Sequence, residues 1–252
     1  MPVDWLIIAA IVPVVLFAGV VHGALGLGFP MVATPIIAIF LDVKLAILLI
    51  LLPTALVNIA SIYSNEPLAA TVKKYFWLVF ATLAGALIGA WVLTVSEPSS
   101  YRLLLAVLIL LFLWIAKFGL LPRAWCMANP LAALIIAGLV GGFSAGTTNV
   151  MVAVLLIYFL SMNVVRGEMI SAMNLCFLLG KLAQIVVFYH SGLVSLGFMA
   201  ATIPLAGCAY GALKYGQRIG QKIPQERYRQ MLHYLLAALA VILIVQFFRD
   251  LT

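Results

Sequence analysis

A single lysine interrupts a long apolar run in the second half of the chain. Lys181 lies near the middle of the segment from Met169 to Tyr189, and a cation at the centre of a membrane helix costs about 2.5 to 3.5 kcal/mol on insertion scales. No Asp or Glu occurs at a comparable depth in any apolar run of the sequence. Helical spacing places Gln184 one turn after the lysine and Asn174 two turns before it. This polar stripe predicts an anion site, with a structural lysine held by backbone carbonyls as the alternative.

Two glycine-rich stretches each interrupt an apolar segment that is too long for one membrane helix. The first covers residues 23–30 within Trp5 to Leu41, and the second covers residues 141–149 within Leu131 to Leu160. A helix broken inside the bilayer is tolerated where protein or a water-filled cavity satisfies the freed backbone groups. We therefore expect two hairpins that dip to mid-membrane and return. Three of their pieces, at residues 31–41, 131–140 and 150–160, are too short to cross alone and are expected to be half-helices.

The returning helix of each hairpin begins at the break. Pro30 suits the first helical position of one helix, and the polar residues that follow Gly146 suit the N-cap of the other. A helix N-terminus carries unpaired N–H groups and a partial positive charge, so it attracts anions. Capping and packing alone are the alternative. We predict that the substrate lies beside residues of both breaks, namely Gly26, Gly28, Thr147, Thr148 and Asn149.

Three further motifs lie in or beside apolar segments. His22 precedes the first glycine-rich stretch and is a candidate for proton coupling, since histidine titrates near neutral pH; a structural hydrogen bond is the alternative. Asn58 lies in the segment from Leu45 to Tyr63 and could line the same cavity or bridge two helices.

Residues 142–146 match the nucleophile pattern GxSxG, but His190 lies at a segment end and no intramembrane carboxylate can orient it. A serine hydrolase is therefore only a remote alternative.

Composition places the whole chain in a lipid bilayer. Of 252 residues, 66% are hydrophobic and 8% are charged, whereas soluble proteins carry about 25% charged residues. The net charge of +7 is spread over short loops, which orients membrane spans and does not indicate nucleic-acid binding. The three cysteines have no metal-ligand spacing, and no Walker sequence occurs. We expect neither a metal nor a cofactor, and no enzymatic activity.

Eight apolar segments are predicted, and most of them have the length of an ordinary membrane span of about 20 residues. Two are the interrupted segments. Their ranges are Trp5 to Leu41, Leu45 to Tyr63, Phe76 to Val95, Leu103 to Ala116, Leu131 to Leu160, Met169 to Tyr189, Leu193 to Leu213 and Met231 to Phe248.

Basic residues predict the orientation of these segments. If the interrupted segments are hairpins, ten basic residues fall on one side of the membrane and three on the other; if each crosses once, the division is eight and five. Basic residues concentrate in cytoplasmic loops. We therefore expect an integral protein of the bacterial plasma (inner) membrane with both termini outside the cytoplasm.

The two halves of the chain indicate a duplication. The letters AGVV at residues 18–21 match AGLV at residues 137–140, an offset of 119. Gly85 and Gly89 correspond to Gly207 and Gly211 in the second half, and each pair is a small-xxx-small motif. Residues 101–102 correspond to residues 228–229. We predict an all-α polytopic membrane protein with one domain over residues 1–252, repeat 1 at about 5–118 and repeat 2 at about 131–249. Each half is a broken-helix hairpin plus three transmembrane helices, and three crossings invert the second half.

The glycine-rich stretches also resemble a known family. The sequences HGALGLGFPMVATP at 22–35 and GGFSAGTTNV at 141–150, followed by Tyr158, resemble the paired signatures of the TauE/SafE sulfite exporter family. The likeness extends over essentially the whole chain, including Pro53 and Asn58. The chain departs from many relatives at residues 151–153, where Met-Val-Ala replaces prolines.

The resemblance implies a permease for sulfite, an organosulfonate or a related small anion, driven by the proton gradient. An alternating-access carrier is the function we predict, and an anion channel is its main alternative. The partners expected are a small anionic substrate and the lipid bilayer. The sequence leaves the oligomeric state open, a homo-oligomer included.

Overall fold

The computed structural model describes residues 5–62, 68–96, 99–118 and 122–220, together with eight helical residues between 230 and 248. Every regular element in these ranges is an α-helix, which confirms the predicted all-α membrane class. In chain order the helices are α1 (Trp5–Leu25), α2 (Phe29–Ala38), α3 (Val43–Leu49), α4 (Leu51–Ile62), α5 (Leu68–Lys74), α6 (Phe76–Val95), α7 (Ser99–Phe118), α8 (Arg123–Ala128), α9 (Pro130–Thr148), α10 (Met151–Ser161), α11 (Arg166–His190), α12 (Leu196–Ala201) and α13 (Ile203–Gly220).

Four of the described helices are long and apolar enough to cross a membrane: α1, α6, α9 and α11. A fifth span results if α3 and α4, which meet at an angle of 50°, are counted as one. The predicted segment from Phe76 to Val95 coincides with α6. The segment from Leu45 to Tyr63 is divided at Ile50, and that from Leu193 to Leu213 is divided at Thr202.

The first predicted break is present but shorter than expected. α1 continues to Leu25, and the chain leaves the helical conformation only at residues 26–28. Gly26 and Gly28 have φ angles of 84° and 103°, a left-handed conformation that glycine adopts without steric cost. These two residues therefore form the turn that starts α2.

The second break is limited to Asn149 and Val150, because α9 continues through the glycine-rich stretch to Thr148. The expectation that residues 131–140 form a half-helix is wrong, because they belong to the longer helix α9. α1 has 21 residues and α9 has 19, enough to cross about 30 Å of hydrocarbon at 1.5 Å per residue. Only the returning helices are short, with 10 residues in α2 and 11 in α10.

Glycines bring two helix pairs into backbone contact, α1 with α13 and α6 with α9. A Cβ atom added at Gly19 would lie 2.7 Å from that of Ala212, and one added at Gly138 would lie 2.7 Å from that of Ala81. A Cβ at Gly142 would collide with the carbonyl group of Thr82. The close contact explains why these glycines are tolerated inside helices, where glycine costs about 1 kcal/mol relative to alanine.

The contacts of the two pairs repeat with fixed spacing. Matching positions on α1 and α9 are 119 residues apart, as predicted, and matching positions on α13 and α6 are 131 residues apart. Gly85 faces Leu139 in one pair as Gly216 faces Val20 in the other. This regularity supports the predicted duplication, whose inverted arrangement stays a prediction.

The predicted correspondence of Gly85 and Gly89 with Gly207 and Gly211 is wrong. No described atom would lie within 4 Å of a Cβ at Gly207 or Gly211, so neither glycine makes a close contact with a described helix. Gly216 and Gly220 occupy the matching places on α13. The predicted match of residues 101–102 with 228–229, and most of the predicted last span, lie outside the described residues.

A polar cluster fixes the beginning of α11 against the first half of the chain. Glu168, in the first turn of α11, lies 2.5 Å from the Lys74 Nζ atom, and it accepts a hydrogen bond of 2.6 Å from the Tyr75 hydroxyl. Burial, together with the neighbouring Glu168 carboxylate, raises the pKa of Tyr75. The phenol therefore stays a hydrogen-bond donor at physiological pH, and α11 is held at the junction of α5 and α6.

Candidate functional site

The polar stripe predicted on α11 is buried in the protein. Asn174 and Gln184 are fully buried and Lys181 is 3% exposed. α11 packs against α4, α6 and α9, so the stripe faces helices from both halves of the chain. A buried cation requires close polar partners, because transfer of an unpaired charge from water is far too costly.

Two side-chain amides surround the lysine. The Lys181 ammonium donates to Oδ1 of Asn149 and to Oε1 of Gln184. Nε2 of Gln184 donates to the carbonyl oxygens of Ala145 and Gly146 at 2.9 and 3.0 Å, which turns the amide oxygen toward the lysine. Neutral oxygens therefore stabilise the ammonium, but they belong to side-chain amides and not to the backbone carbonyls of the structural alternative. Among the buried side chains that are described, none belongs to Asp, Glu or Arg, so this part of the protein does not neutralise the positive charge.

Asn149 connects this lysine to the other break. It ends α9 at a φ of 65°, a left-handed conformation in which Asn is enriched. Its Nδ2 atom donates to Thr34 Oγ1 at 3.0 Å. Thr34 lies in α2, the helix that returns from the first break. Thr34 lies inside the first glycine-rich signature, at residues 22–35, but it is not among the predicted site residues.

The predicted capping roles of Thr147 and Thr148 are wrong. Both residues belong to the last turn of α9, and their hydroxyls donate to the carbonyl oxygens of Phe143 and Ser144 at 2.9 and 3.0 Å. Such bonds lie within α9, the helix that ends at the break. They provide no hydrogen-bond acceptor for the N–H groups of α10, the helix that begins there.

The N-terminus of α10 has no side-chain cap. Its N-cap residue is Val150, which has no polar side chain. None of the described side chains caps the first N–H groups of α10, which therefore carry the partial positive charge of a helix N-terminus at the break. Because Asn149 precedes Val150 and contacts Lys181, the ammonium and this terminus belong to the same site.

The first break differs from the second because a histidine occupies it. Nδ1 of His22 accepts from the backbone N–H of Phe29 at 3.2 Å, and Nε2 lies 3.0 Å from Oγ of Ser61. Pro30, the second residue of α2, has no N–H to offer. A histidine whose Nδ1 is an acceptor is neutral, with its proton on Nε2. The two breaks are therefore not equivalent anion sites, contrary to expectation.

α11 also contacts the first break directly. Nδ2 of Asn174 donates to the carbonyl oxygens of Gly26 and Ile170, both at 2.8 Å. A Cβ at Gly26 would meet the Ile170 side chain at 2.8 Å, whereas one at Gly28 would meet no described atom within 4 Å. One face of α11 thus contacts both breaks, the first through Asn174 and the second through Lys181.

Asn58 is buried and lacks hydrogen bonds from the described residues. Its Nδ2 and Oδ1 atoms both have no described partner, and the same holds for Oγ1 of Thr54, one turn earlier on α4, and for Oδ1 of Asn174. Leaving such a group unpaired costs about 1 to 3 kcal/mol. These atoms are therefore available to a polar partner, and the role of Asn58 in lining the cavity stays a prediction.

The GxSxG pattern has no hydrolase geometry. Ser144 lies within α9, not at a strand-to-helix turn, and its hydroxyl donates to the carbonyl oxygen of Val140 at 2.9 Å. His190 is exposed at the end of α11, where Nδ1 lies 2.8 Å from the carbonyl oxygen of Val186. The serine hydroxyl is thus hydrogen-bonded within its own helix.

A bundle of helices long and apolar enough to cross a membrane indicates an integral membrane protein. The Lys181 ammonium, which meets no described acidic side chain at the second helix break, is its candidate anion site. The chain matches the family model described as Sulfite exporter TauE/SafE over residues 11–243. It belongs to that family, which is a family of membrane transporters. Comparison with curated proteins and with solved structures finds no match.

Proposed function

We propose that the protein is a secondary transporter for a small oxyanion, with sulfite or an organosulfonate as the substrate. The family description names sulfite export. The observation that carries the proposal is the Lys181 ammonium. It is buried beside a helix break, and its partners among the described residues are the neutral oxygens of Asn149 and Gln184.

The proposed substrate position lies between Lys181 and the N-terminus of α10. An oxyanion there accepts hydrogen bonds from the ammonium and from the uncapped N–H groups after Val150. Charge-assisted bonds of this kind are about twice as strong as neutral ones. The same anion supplies the countercharge that the described part of the protein does not.

Proton coupling is proposed to act through His22. Protonation of Nδ1 converts the acceptor of the Phe29 N–H into a donor, so the bond that holds the start of α2 is lost. α2 also carries Thr34, which binds Asn149 and through it Lys181. A change at the first break is thereby transmitted to the anion at the second.

Alternating access is proposed to use the duplicated halves. In transporters with inverted repeats, exchange of the two conformations opens the central site to opposite sides of the membrane. The matched glycine contacts of α1 with α13 and of α9 with α6 support this arrangement. With the proposed orientation, both termini lie outside the cytoplasm of a bacterium.

Counterflow in proteoliposomes tests the proposal. Vesicles preloaded with unlabelled sulfite or ethanesulfonate should accelerate uptake of the labelled anion, because a carrier returns faster with substrate bound. Vesicles without protein are the control. Anion flux without trans-acceleration, as expected for a continuous pore, would replace the carrier by a channel. No flux of any tested anion would contradict the substrate class.

A further inference from the structure

The charge around Lys181 can be counted from the helices that surround it. α4, α6, α9 and α10 contain no Asp, Glu, Lys or Arg, and all four pack against α11. α5 also packs there and carries Lys73, which is exposed, and Lys74, which pairs with Glu168 at 2.5 Å. Among the described groups, the site therefore has a charge of +1.

The remaining titratable groups do not change this count. His22 is neutral in the described geometry, because its Nδ1 atom accepts the Phe29 N–H. Cys176 on α11 and Tyr158 on α10 are buried. Their thiol and phenol groups are neutral when protonated, so neither adds a charge. Lys214 and Arg218 on α13 are exposed.

We infer that the site selects singly charged oxyanions and rejects doubly charged ones, an inference that rests on the proposed transport of small anions. One negative charge neutralises the ammonium, so the loaded centre is neutral and can remain buried. A second negative charge has no partner among the described residues, and an unpaired charge in this medium is strongly disfavoured.

The charge of the site decides which ionisation states of a substrate are transported. Monosulfonates and monocarboxylates are singly charged at neutral pH. Sulfite exists near neutral pH as hydrogensulfite and as the dianion, and only hydrogensulfite fits the charge count. Export of hydrogensulfite also carries one proton per substrate as part of the substrate itself.

Binding measurements on the purified full chain test the charge rule. Ethanesulfonate and 1,2-ethanedisulfonate share the sulfonate group and the carbon chain but differ by one charge. We expect the disulfonate to bind at least about tenfold more weakly. Sulfite should bind more weakly as the pH rises above its second ionisation, by about tenfold per pH unit, because the bound form becomes a smaller fraction. Ethanesulfonate stays singly charged and corrects for titration of His22 and Lys181.

A negative charge added to the protein provides a second test of the charge rule. Asn149→Asp is isosteric and tolerates the left-handed conformation, and the Thr34 hydroxyl can donate to the new carboxylate. It should give a folded protein whose Tm no longer rises with ethanesulfonate, since Lys181 is already neutralised. Asn149→Gly also removes the amide but adds no charge, and it accepts a φ of 65°. It is the comparison for the charge itself, and it should lose much less of the ligand-induced rise than Asn149→Asp does.

Three results would overturn the inference: equal affinity for the two sulfonates, sulfite affinity that rises with pH, or wild-type ethanesulfonate binding by a folded Asn149→Asp protein. If Asn149→Asp does not fold, the anion comparison decides alone. If the wild-type protein binds and transports none of these anions, the proposed function fails, and this outcome is distinct from transport without charge selection.

Discussion

The ammonium group of Lys181 donates a hydrogen bond to the side-chain oxygen of Asn149, the residue at which α9 ends. This contact places a buried cation at the second helix break. Because the amide oxygen is neutral, it solvates the charge without cancelling it. A translocated anion can therefore bind where the protein stabilises the cation but leaves it a net charge.

Substitution of Lys181 tests the role of the charge. Lys181→Met should lower uptake per folded protein by about 10- to 100-fold, corresponding to loss of a hydrogen bond to a charged group. Its Tm should fall modestly, because the oxygens of Asn149 and Gln184 lose their donor. Lys181→Arg, the control that keeps the cation, should retain part of the uptake. Unchanged uptake per folded Lys181→Met protein would show that the lysine is structural.

His22→Asn tests proton coupling. The Asn side chain can place an acceptor near the Nδ1 position and keep the bond to the Phe29 N–H, but it does not titrate. We expect counterflow to persist while uptake driven by a pH gradient is lost. His190→Asn is the matched control, since His190 is exposed at the end of α11. Gradient-driven uptake at the wild-type rate in His22→Asn would remove His22 from the coupling mechanism.

Asn58→Leu separates binding from packing. The substitution keeps the approximate volume and removes two amide atoms that have no described partner. If those atoms meet only protein, stability should rise, because unpaired buried polar groups cost about 1 to 3 kcal/mol. We expect a higher Tm together with several-fold slower uptake, since Asn58 is proposed to line the substrate path. Thr54→Val is the comparison on the same helix. Normal uptake with a higher Tm would place Asn58 outside the path.

Gly142→Ala tests the contact between α6 and α9. The new methyl group collides with the Thr82 carbonyl, and overpacking of this kind costs about 1 to 3 kcal/mol. Gly211→Ala is the control, because its methyl group meets no described atom within 4 Å. It should be neutral or stabilising by up to about 1 kcal/mol through helix propensity. Thermal unfolding measures both, and equal Tm values for the two variants would argue against the described contact.

Cysteine labelling tests the orientation. On a background without Cys126, Cys176 and Cys208, Arg218→Cys and Ser191→Cys each place one thiol at an exposed position. A membrane-impermeant reagent added to intact cells should label position 191 and spare position 218. Labelling of position 218 alone would invert the assignment and remove the support that charge distribution gives to the hairpins.

Local patterns predicted the elements that depend on local sequence. α6 begins and ends where the apolar run does, after Lys73 and Lys74 and before Ser96. The polar stripe of α11 was also predictable, because helical spacing alone aligns Asn174, Lys181 and Gln184. The assignment of Asn149 to the site of Lys181 followed from its place at the break.

Features that depend on tertiary contacts were not predictable. The glycines of α9 indicate a broken helix when read alone, and only the backbone of α6 beside them shows why the helix continues. Thr147 and Thr148 are good caps in isolation but bond backward to their own helix. Ser61 and Thr34 contact His22 and Asn149 across 39 and 115 residues of sequence, a relation that no spacing rule provides.

The glycine contacts have a consequence for the origin of the chain. Each close-packed pair joins a helix of one half to a helix of the other, α1 to α13 and α9 to α6. Under the proposed duplication, a polypeptide of a single half would carry both complementary surfaces without being able to pair them with each other. It would satisfy them only against a second copy of itself, through two identical contacts. The present chain then corresponds to an ancestral homodimer whose subunits became one gene product, and the contacts that once set its oligomeric state now act inside a single molecule.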